Sequence, residues 1–228
     1  MTGKPLAVVV ASGGMDSCVS AAIARQGYDL AMFHLNYGQL TETRELQAFR
    51  EQAIFYNAKH ILEVDAGHFR QIGGSALTDK TLAVPDAKNL GKGVPVTYVP
   101  FRNANILAMA VSWAEVIGAV RVFIGAVEED SSGYPDCRES FIDAFNTAIR
   151  EGTRPGSGIS IEAPLLHLNK GQIVRRGLEL GAPLHLSWSC YQGEETACGT
   201  CESCVLRLRG FAAAGATDPI PYRNNGSI

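Results

Sequence analysis

The residues of this chain that point most directly to chemistry form a polar turn near its amino terminus. Residues 11–18 read Ala-Ser-Gly-Gly-Met-Asp-Ser-Cys and follow the apolar run Leu6–Val10. A glycine turn between a strand and a helix directs backbone N–H groups and the positive helix end at an anion. The turn has neither the Lys-Ser/Thr ending of a Walker loop nor the spacing of a dinucleotide fingerprint. We therefore predict a phosphate loop of another kind, with a ligand-free tight turn as the alternative.

A second group of residues that can do chemistry is a cluster of cysteines near the carboxyl terminus. Cys190, Cys198, Cys201 and Cys204 are separated by seven, two and two residues. Four thiolates at such spacings can converge on one tetrahedral zinc ion, which would fold the segment. An iron–sulfur cluster is less favoured because the Cys-x3-Cys-Pro ending is missing, and unliganded thiols are a third interpretation. Clustered cysteines without an export signal also predict a cytoplasmic protein.

Two basic side chains stand at the starts of predicted helices. Arg102 can clamp a phosphate or carboxylate with two hydrogen bonds, or it forms an ion pair at the surface. Asn103 either contacts substrate or caps the helix. Lys170 follows the capping residue Asn169, where a cation is unfavourable unless it meets an anion, so we predict a phosphate contact.

The segment 125–138 follows an apolar strand and contains three acids in succession. Ligands of parallel sheets bind at the carboxyl ends of strands, so Tyr134, Asp136 and Arg138 are candidates for recognising a heterocyclic base. A solvated acidic loop is the alternative, and for Glu129 it is favoured. Cys137 either packs or contacts the substrate.

Composition narrows the class of protein. The chain has 228 residues, 46% hydrophobic and 19% charged, which is typical of a globular protein. Its net charge of −3 argues against a broad nucleic-acid surface and favours a small-molecule substrate. The most apolar stretch, 104–127, is interrupted by charges and glycine, which predicts a buried helix and strand and no membrane span.

Strand and helix patterns alternate, which predicts an α/β doubly wound parallel sheet of the Rossmann-like kind. Residues 66–96 are predicted to be irregular, and Asp218–Ile228 to be an extended arm or partly disordered. We predict an ATP-binding α/β domain over 1–160 and a helical, zinc-binding appendage over 161–228. The predicted strands are 6–10, 29–36, 60–64 and 121–125. The predicted helices are the one that follows the glycine turn through 19–24, and 41–56, 103–117, 138–151, 169–181 and 203–214.

The turn and the cysteines together resemble the 7-cyano-7-deazaguanine synthase family of the PP-loop N-type ATP pyrophosphatases. The PP-loop, or pyrophosphate loop, is the Ser-Gly-Gly-Met-Asp-Ser turn, which alone would indicate only the superfamily. The more specific blocks span most of the chain in order. These blocks are Asn36-Tyr37-Gly38-Gln39, Val99-Pro100-Phe101-Arg102-Asn103, Ser132-Gly133-Tyr134-Pro135-Asp136-Cys137-Arg138, Ser189-Cys190-Tyr191 and Cys198-Gly199-x-Cys201-x2-Cys204.

The resemblance implies a ligase that uses ATP to activate 7-carboxy-7-deazaguanine, adds ammonia to form an amide, and activates the amide to give a nitrile. It implies ATP, Mg²⁺ and Zn²⁺ as cofactors, and family members are often homodimers. Asp16, Arg102 and Lys170 are the predicted catalytic residues. The predicted ATP-binding residues are Ala11, Ser12, Gly13, Gly14, Met15, Asp16, Ser17, Cys18, Val19, Ser20 and Ala21. The predicted substrate contacts are Tyr37, Gln39, Asn103, Tyr134, Asp136 and Cys137.

Two other functions are compatible with parts of the sequence. A tRNA sulfur transferase would need a persulfide on Cys137 or Cys18 and a basic face, which the net charge does not favour; an amidotransferase synthetase belongs to the same group of adenylating PP-loop enzymes. A zinc-knuckle binding module would leave the PP-loop unexplained and would not turn over ATP.

Overall fold

Five parallel strands form the centre of the molecule in the computed structural model, which describes residues 3–87, 93–128 and 134–223. The strand order is β3-β2-β1-β4-β5, and every neighbouring pair is parallel. Parallel strands buried on both faces read as continuous apolar runs, as β1 and β2 do. The strands are β1 Leu6–Val10, β2 Asp29–Asn36, β3 His60–Asp65, β4 Arg121–Ile124 and β5 Ser160–Glu162.

Helices cover both faces of this sheet. Val8 and Val10 of β1 pack in a core with residues of α4 and α5, whereas Ala7 and Val9 pack with residues of α1 and α2. The predicted doubly wound parallel sheet is therefore confirmed. The helices are α1 Met15–Gly27, α2 Glu42–Phe55, α3 His68–Ile72, α4 Arg102–Ile117, α5 Glu139–Gly152, α6 Lys170–Glu179 and α7 Glu202–Ala213.

The chain order across the sheet reverses between β1 and β4. From β1 the chain proceeds outward through β2 and β3, and it then returns to place β4 on the other side of β1. Ligands of open α/β sheets bind beyond the carboxyl ends of the strands at such a reversal. The PP-loop follows β1 at this point, and residues 125–128 follow β4.

The predicted elements agree with the structure to within one or two residues at most ends. Two short elements were missed: α3, which lies inside the segment predicted to be irregular, and β5. Three to five residues are too few to show a hydrophobic period. The strand β5 crosses the predicted domain boundary between 160 and 161, and it pairs with β4 of the main sheet.

The helices α6 and α7 pack on each other, and α6 also packs on α1. Asn169 caps α6 by accepting from the backbone of Gln172, whose side chain bonds back to Asn169. In the parts of the chain that the structure describes, no helix has the length and apolar character needed to cross a bilayer.

The chain after α7 returns to the body of the protein. Ile220 is buried, and the carbonyl of Pro221 accepts from the backbone N–H of Ala197 at 2.9 Å. Residues 218–223 are thus the packed part of the predicted extended arm, and residues 224–228 lie outside the described residues. Ser132 and Gly133 of the specific sequence block, and Glu129, also lie outside them.

Candidate active site

The PP-loop connects β1 to α1 and holds itself in shape with short-range hydrogen bonds. The backbone N–H of Gly14 donates to Ser12 Oγ at 3.2 Å, and Ser17 Oγ donates to the Gly14 carbonyl at 3.1 Å. Gly14 precedes the first turn of α1 and supplies no side-chain cap. The first N–H groups of α1 are therefore left without a side-chain partner at the loop, as an anion site requires.

Gly13 needs the conformational freedom of glycine, because its φ is +83°. Its carbonyl accepts two hydrogen bonds, from Gln52 Nε2 and from the backbone N–H of Trp188, both at 2.9 Å. A side chain at Gly13 would also collide with the backbone carbonyl of Glu45. Helix α2 and the segment before the cysteine cluster thus fix the loop from behind.

A cavity of about 250 Å³ opens in front of the loop at the carboxyl ends of β1, β2 and β4. Its wall contains six of the predicted ATP-binding residues. These are Ala11, Ser12, Gly14, Met15, Asp16 and Ser17.

The structure does not bring the other predicted ATP-binding residues to this wall. Gly13 is buried behind the loop. Cys18, Val19, Ser20 and Ala21 are completely buried in the first turns of α1. The Cys18 thiol lies 3.6 Å from the Tyr56 hydroxyl, and burial raises its pKa to about 12. These four residues therefore pack α1 against the body and have no surface in the cavity.

Asp16 and Lys170 form an ion pair beside the PP-loop. Lys170 Nζ lies 2.7 Å from Asp16 Oδ2, and the two side chains are 13% and 28% exposed. The anion that Lys170 meets in the structure is thus a carboxylate of the protein, and its contact with a phosphate stays a prediction. Asp16 Oδ1 is buried and has no hydrogen-bond partner among the described residues.

Arg102 reaches the cavity from the start of α4. Its Nη1 donates to the Tyr37 hydroxyl at 3.1 Å, and the guanidinium lies over the Tyr37 ring at 5.2 Å. Its Nε is buried and has no partner within the described part of the chain. Burial raises the pKa of Tyr37 to about 12, so that side chain stays a neutral hydrogen-bonding group.

Asn103 and Cys137 also line the cavity, and they touch each other. Asn103 Nδ2 donates to Cys137 Sγ at 3.3 Å and to the Asp136 carbonyl at 3.1 Å. The Asp136 carboxylate accepts from the backbone N–H of Asn103 at 2.9 Å. The side chain of Asp136, and not that of Asn103, therefore accepts a hydrogen bond from a backbone N–H in the first turn of α4.

Two of the predicted substrate contacts are not brought to the cavity wall. Asp136 is 4% exposed and is used by Asn103. Gln39 is 5% exposed; its Oε1 accepts from the Tyr37 backbone, and its Nε2 donates to Glu45. Both support residues that do line the cavity. The other four predicted contacts are on the wall: Tyr37, Asn103, Tyr134 and Cys137.

A smaller cavity of about 110 Å³ shares Met15, Asp16 and Tyr134 with the first. Lys170 lies on its wall. Tyr134 is oriented by a 2.8 Å hydrogen bond between its hydroxyl and Thr97 Oγ1. The two cavities therefore meet at the start of α1, with the ion pair of Asp16 and Lys170 at their junction.

Glu45 is a cavity residue that sequence reasoning missed. It lies in the first turn of α2 and lines the larger cavity. Burial raises its pKa to about 7. Nothing in the sequence distinguishes it from Glu42 in the same turn, because only the packing of α2 against the PP-loop decides which one faces the cavity.

The four clustered cysteines converge as predicted. All four are buried, and their sulfur atoms lie within 4.8 Å of one another. Zn–S bonds of about 2.3 Å place the sulfurs of a tetrahedral site about 3.8 Å apart, so a small closure would complete the site. Backbone N–H groups of Gly193 and Cys198 donate to Cys190 Sγ at 3.2 and 3.3 Å, which stabilises a thiolate. The arrangement fits one structural metal ion.

The segment 188–190 connects the cysteine cluster to the cavity. The Thr41 hydroxyl lies 3.2 Å from the Cys190 carbonyl, and Trp188 N–H bonds the PP-loop at Gly13. A metal that folds this segment would therefore also hold one wall of the cavity.

Solved structures to which parts of the chain are similar include an NAD+ synthetase from Burkholderia pseudomallei and a predicted subunit of tRNA methyltransferase from Methanocaldococcus jannaschii. The first is 17% identical, has a TM-score of 0.46, and the match covers 94% of this chain and 75% of that one. The second is 16% identical with a TM-score of 0.46, and the match covers 77% and 75% of the two chains.

Curated relatives are much more similar. The 7-cyano-7-deazaguanine synthase of Chlorobaculum tepidum is 57% identical over 217 residues, covering 95% of this chain and 96% of the relative. The synthase of Acidobacterium capsulatum is 59% identical over 220 residues, with the same coverage of 95% and 96%. The matches to these synthases cover almost the whole of both chains, which confirms the prediction that the chain is an enzyme.

A family model also matches nearly the whole chain, over residues 6–215, under the description "Queuosine biosynthesis protein QueC". The match spans the PP-loop, the residues of the cavity wall and all four clustered cysteines. The resemblance predicted from the sequence blocks is thereby confirmed, and it supports a role in queuosine biosynthesis. The chain belongs to the QueC family of queuosine biosynthesis proteins.

Proposed function

We propose that this enzyme converts 7-carboxy-7-deazaguanine and ammonia into 7-cyano-7-deazaguanine at the expense of ATP. A carboxylate is a poor electrophile, so its oxygen first attacks the α-phosphate of ATP to form an adenylate and pyrophosphate. Ammonia displaces AMP and gives the amide. A second activation on the amide oxygen creates a leaving group, and its loss gives the nitrile.

The PP-loop is the proposed site of the ATP phosphates. The Ser12 hydroxyl and the first N–H groups of α1 supply donors, and Lys170 supplies a cation at the same place. Lys170 would then exchange part of its contact with Asp16 for a phosphate oxygen. Preorganised donors of this kind stabilise the charge that develops as pyrophosphate leaves.

Arg102 is the proposed clamp for the substrate carboxylate. It lines the same cavity as the PP-loop, and its buried Nε is unpartnered within the described residues. A guanidinium binds a carboxylate with two parallel hydrogen bonds, which would orient the oxygen toward ATP. Tyr134, Asn103 and Cys137 are the proposed contacts to the deazaguanine ring.

The residues present fit the two implied metal ions. Asp16 Oδ1, a buried oxygen without a partner in the described chain, is the proposed protein ligand of Mg²⁺, which would neutralise phosphate charge. The four cysteines are the proposed ligands of Zn²⁺, whose closed site would fold the segment and not activate water. A homodimer and a cytoplasmic location stay predictions.

One observation carries the proposal: the PP-loop, Lys170 and Arg102 line two adjoining cavities in a chain whose relatives are 7-cyano-7-deazaguanine synthases. The test is mass spectrometry of purified protein incubated with 7-carboxy-7-deazaguanine, ammonium, Mg²⁺ and ATP. We expect the nitrile and AMP, with the amide appearing first.

Omitting one component at a time supplies the controls. Without ammonium, pyrophosphate release should continue only until the adenylate has accumulated. ATP consumption with no nitrile would retain the PP-loop function and reject the proposed substrate. Folded, metal-loaded protein that forms no ATP-dependent product would contradict the proposal as a whole and favour a binding module.

A further inference from the structure

The carboxylate of Glu45 is held in a fixed orientation inside the larger cavity. Its Oε1 accepts from the Thr41 hydroxyl at 2.8 Å, and its Oε2 accepts from Gln39 Nε2 at 3.1 Å. An ionised carboxylate offers about four acceptor positions, so each oxygen keeps room for one further donor. Glu45 can therefore receive a proton or an N–H group from a molecule in the cavity without losing its supports.

The two supporting residues are themselves fixed. Gln39 Oε1 accepts from the backbone N–H of Tyr37 at 3.0 Å, and the Thr41 hydroxyl lies 3.2 Å from the Cys190 carbonyl. Both side chains are buried, at 5% and 2% exposure. Such a second layer of contacts is what holds a reacting group within tenths of an ångström of its working position.

No ion pair within the described residues includes Glu45, although cations and other acids face it. Arg102 lines the same cavity and favours the ionised form, whereas Glu42 on the same helix opposes it. Burial is the largest effect and raises the pKa of Glu45 to about 7. A general base works best when its pKa lies near the working pH, as it does here.

We infer that Glu45 is the base that accepts the proton lost by ammonia as the amide forms, an inference that rests on the proposed function. The nitrogen lone pair attacks the carboxyl carbon of the adenylate and forms the C–N bond. The C–O bond to AMP breaks, and AMP leaves with that electron pair. One N–H proton passes to the Glu45 carboxylate, which later releases it to water.

The position of Glu45 fits this step. Glu45 lines the same cavity as the PP-loop residues Ser12 and Gly14, where the adenylate would form. Arg102 and Glu45 line the same cavity with opposite charges. The cation suits the carboxylate that is activated, and the anion suits the nitrogen that becomes positive during attack.

The test separates two half-reactions in Glu45→Gln. We expect the rate of adenylate formation, measured as pyrophosphate release in the absence of ammonium, to stay within a few-fold of the rate of the unaltered protein. Amide formation from ammonium should fall by about 10²-fold or more, the usual contribution of a general base. Glu42→Gln is the matched control, because Glu42 lies in the same turn but pairs with Arg70 at 2.6 Å outside the cavity. It should leave both half-reactions unchanged.

A second variant guards against a merely structural effect. Glu45→Ala should lose amide formation to a similar degree, and added formate should restore part of the rate by occupying the space of the carboxylate. A parallel fall of both half-reactions, or unchanged amide formation in Glu45→Gln, would overturn the role of Glu45. If the unaltered protein forms no adenylate from 7-carboxy-7-deazaguanine, the proposed function fails and this role fails with it.

The pH dependence supplies an independent readout. Hydroxylamine replaces ammonium here because it is mostly a free base near pH 7, and each rate is divided by the concentration of the free base so that protonation of the nucleophile does not contribute to the profile. Only the ionised form of Glu45 can accept a proton, so hydroxamate formation should fall as the pH drops below about 7. In Glu45→Gln this inflection should be absent, and its persistence would assign the titration to another group.

Discussion

Asp16 and Lys170 are 154 residues apart in the chain and meet at 2.7 Å beside the PP-loop. Each stands in the first turn of a helix, where an acid is favourable and a cation is not. Lys170 is therefore held in an unfavourable position by a partner carboxylate, and its charge remains next to the proposed phosphate site. Such an arrangement suits a residue that binds an incoming anion.

Lys170→Met removes this charge while keeping most of the length of the side chain. We expect adenylate formation to fall by about 10²-fold, the usual cost of removing one donor that stabilises developing charge. Metal content should be unchanged, because Lys170 does not touch the cysteines. Single-turnover pyrophosphate release is the measurement. Lys59→Met, which alters an exposed lysine, is the control, and an equal loss in both variants would contradict a specific role of Lys170.

At the scale of the elements, the site depends on how closely β4 approaches α1. A Cβ atom on Gly125 would lie 2.7 Å from the backbone nitrogen of Ser17 and 2.8 Å from the carbonyl carbon of Asp16. No side chain fits there, because both obstacles are backbone atoms that cannot rotate away. The end of β4 thereby sets the position of the first turn of α1 and one wall of the cavity.

Gly125→Ala should therefore displace the start of α1. Forcing a methyl group into a packed contact costs about 1–3 kcal/mol of unfolding free energy, and we expect weaker ATP binding in addition. Gly152→Ala is the matched control, since nothing lies within 4 Å of a Cβ atom at the end of α5. Calorimetric titration with ATP and urea unfolding measure the two effects. Equal ATP affinity in both variants would show that α1 tolerates the displacement.

At the scale of the whole molecule, one buried ion pair joins helix α7 to the segment that follows it. Arg207 of α7 and Asp218 are 1% and 2% exposed and lie 2.7 Å apart. Arg207 also donates to the Leu184 carbonyl and to Ser187, which precede the cysteine cluster. The pair therefore joins the returning arm and α7 to the segment that leads to Cys190.

Asp218→Asn should destabilise the protein strongly, because it leaves the buried Arg207 charge without its partner. Removing one member of a buried pair costs about 3–5 kcal/mol of unfolding free energy. Glu63→Gln breaks the exposed pair with Arg50, at 2.6 Å, and should cost less than about 1 kcal/mol. Urea unfolding of the unaltered protein and of the two variants measures both losses of unfolding free energy. Similar losses for Asp218→Asn and Glu63→Gln would mean that Arg207 is solvated in solution.

Much of the fold could be predicted because each strand and helix has its own local signal. The run Leu6–Val10, the cap at Asn169 and the glycine turn between β1 and α1 act through neighbouring residues, so their structures follow from the sequence near them. The strand β5 escaped because three residues carry no period, and only pairing with β4 makes them a strand.

Some parts of the candidate site could likewise be predicted from the sequence, and other parts could not. The glycine turn between β1 and α1 and the convergence of the four cysteines were predictable, because residue type and short spacing suffice to indicate such a turn and such a thiol cluster. The exclusion of Cys18–Ala21 from the cavity was not predictable, since the helix turns them toward the core. Nor was the use of Gln39 and Asp136 as supports, which depends on the neighbours they meet in space.

The sequence by itself determined the family, through its resemblance to known sequence blocks, and also the glycine turn, the cysteine cluster and the order of most strands and helices. Only the tertiary structure decided that Lys170 meets Asp16, that Gly125 lets β4 touch α1, and that Glu45 and not Glu42 faces the cavity. The reason is physical: local signals act over a few residues, whereas the direction of a side chain and the burial of its charge depend on segments far away in the chain.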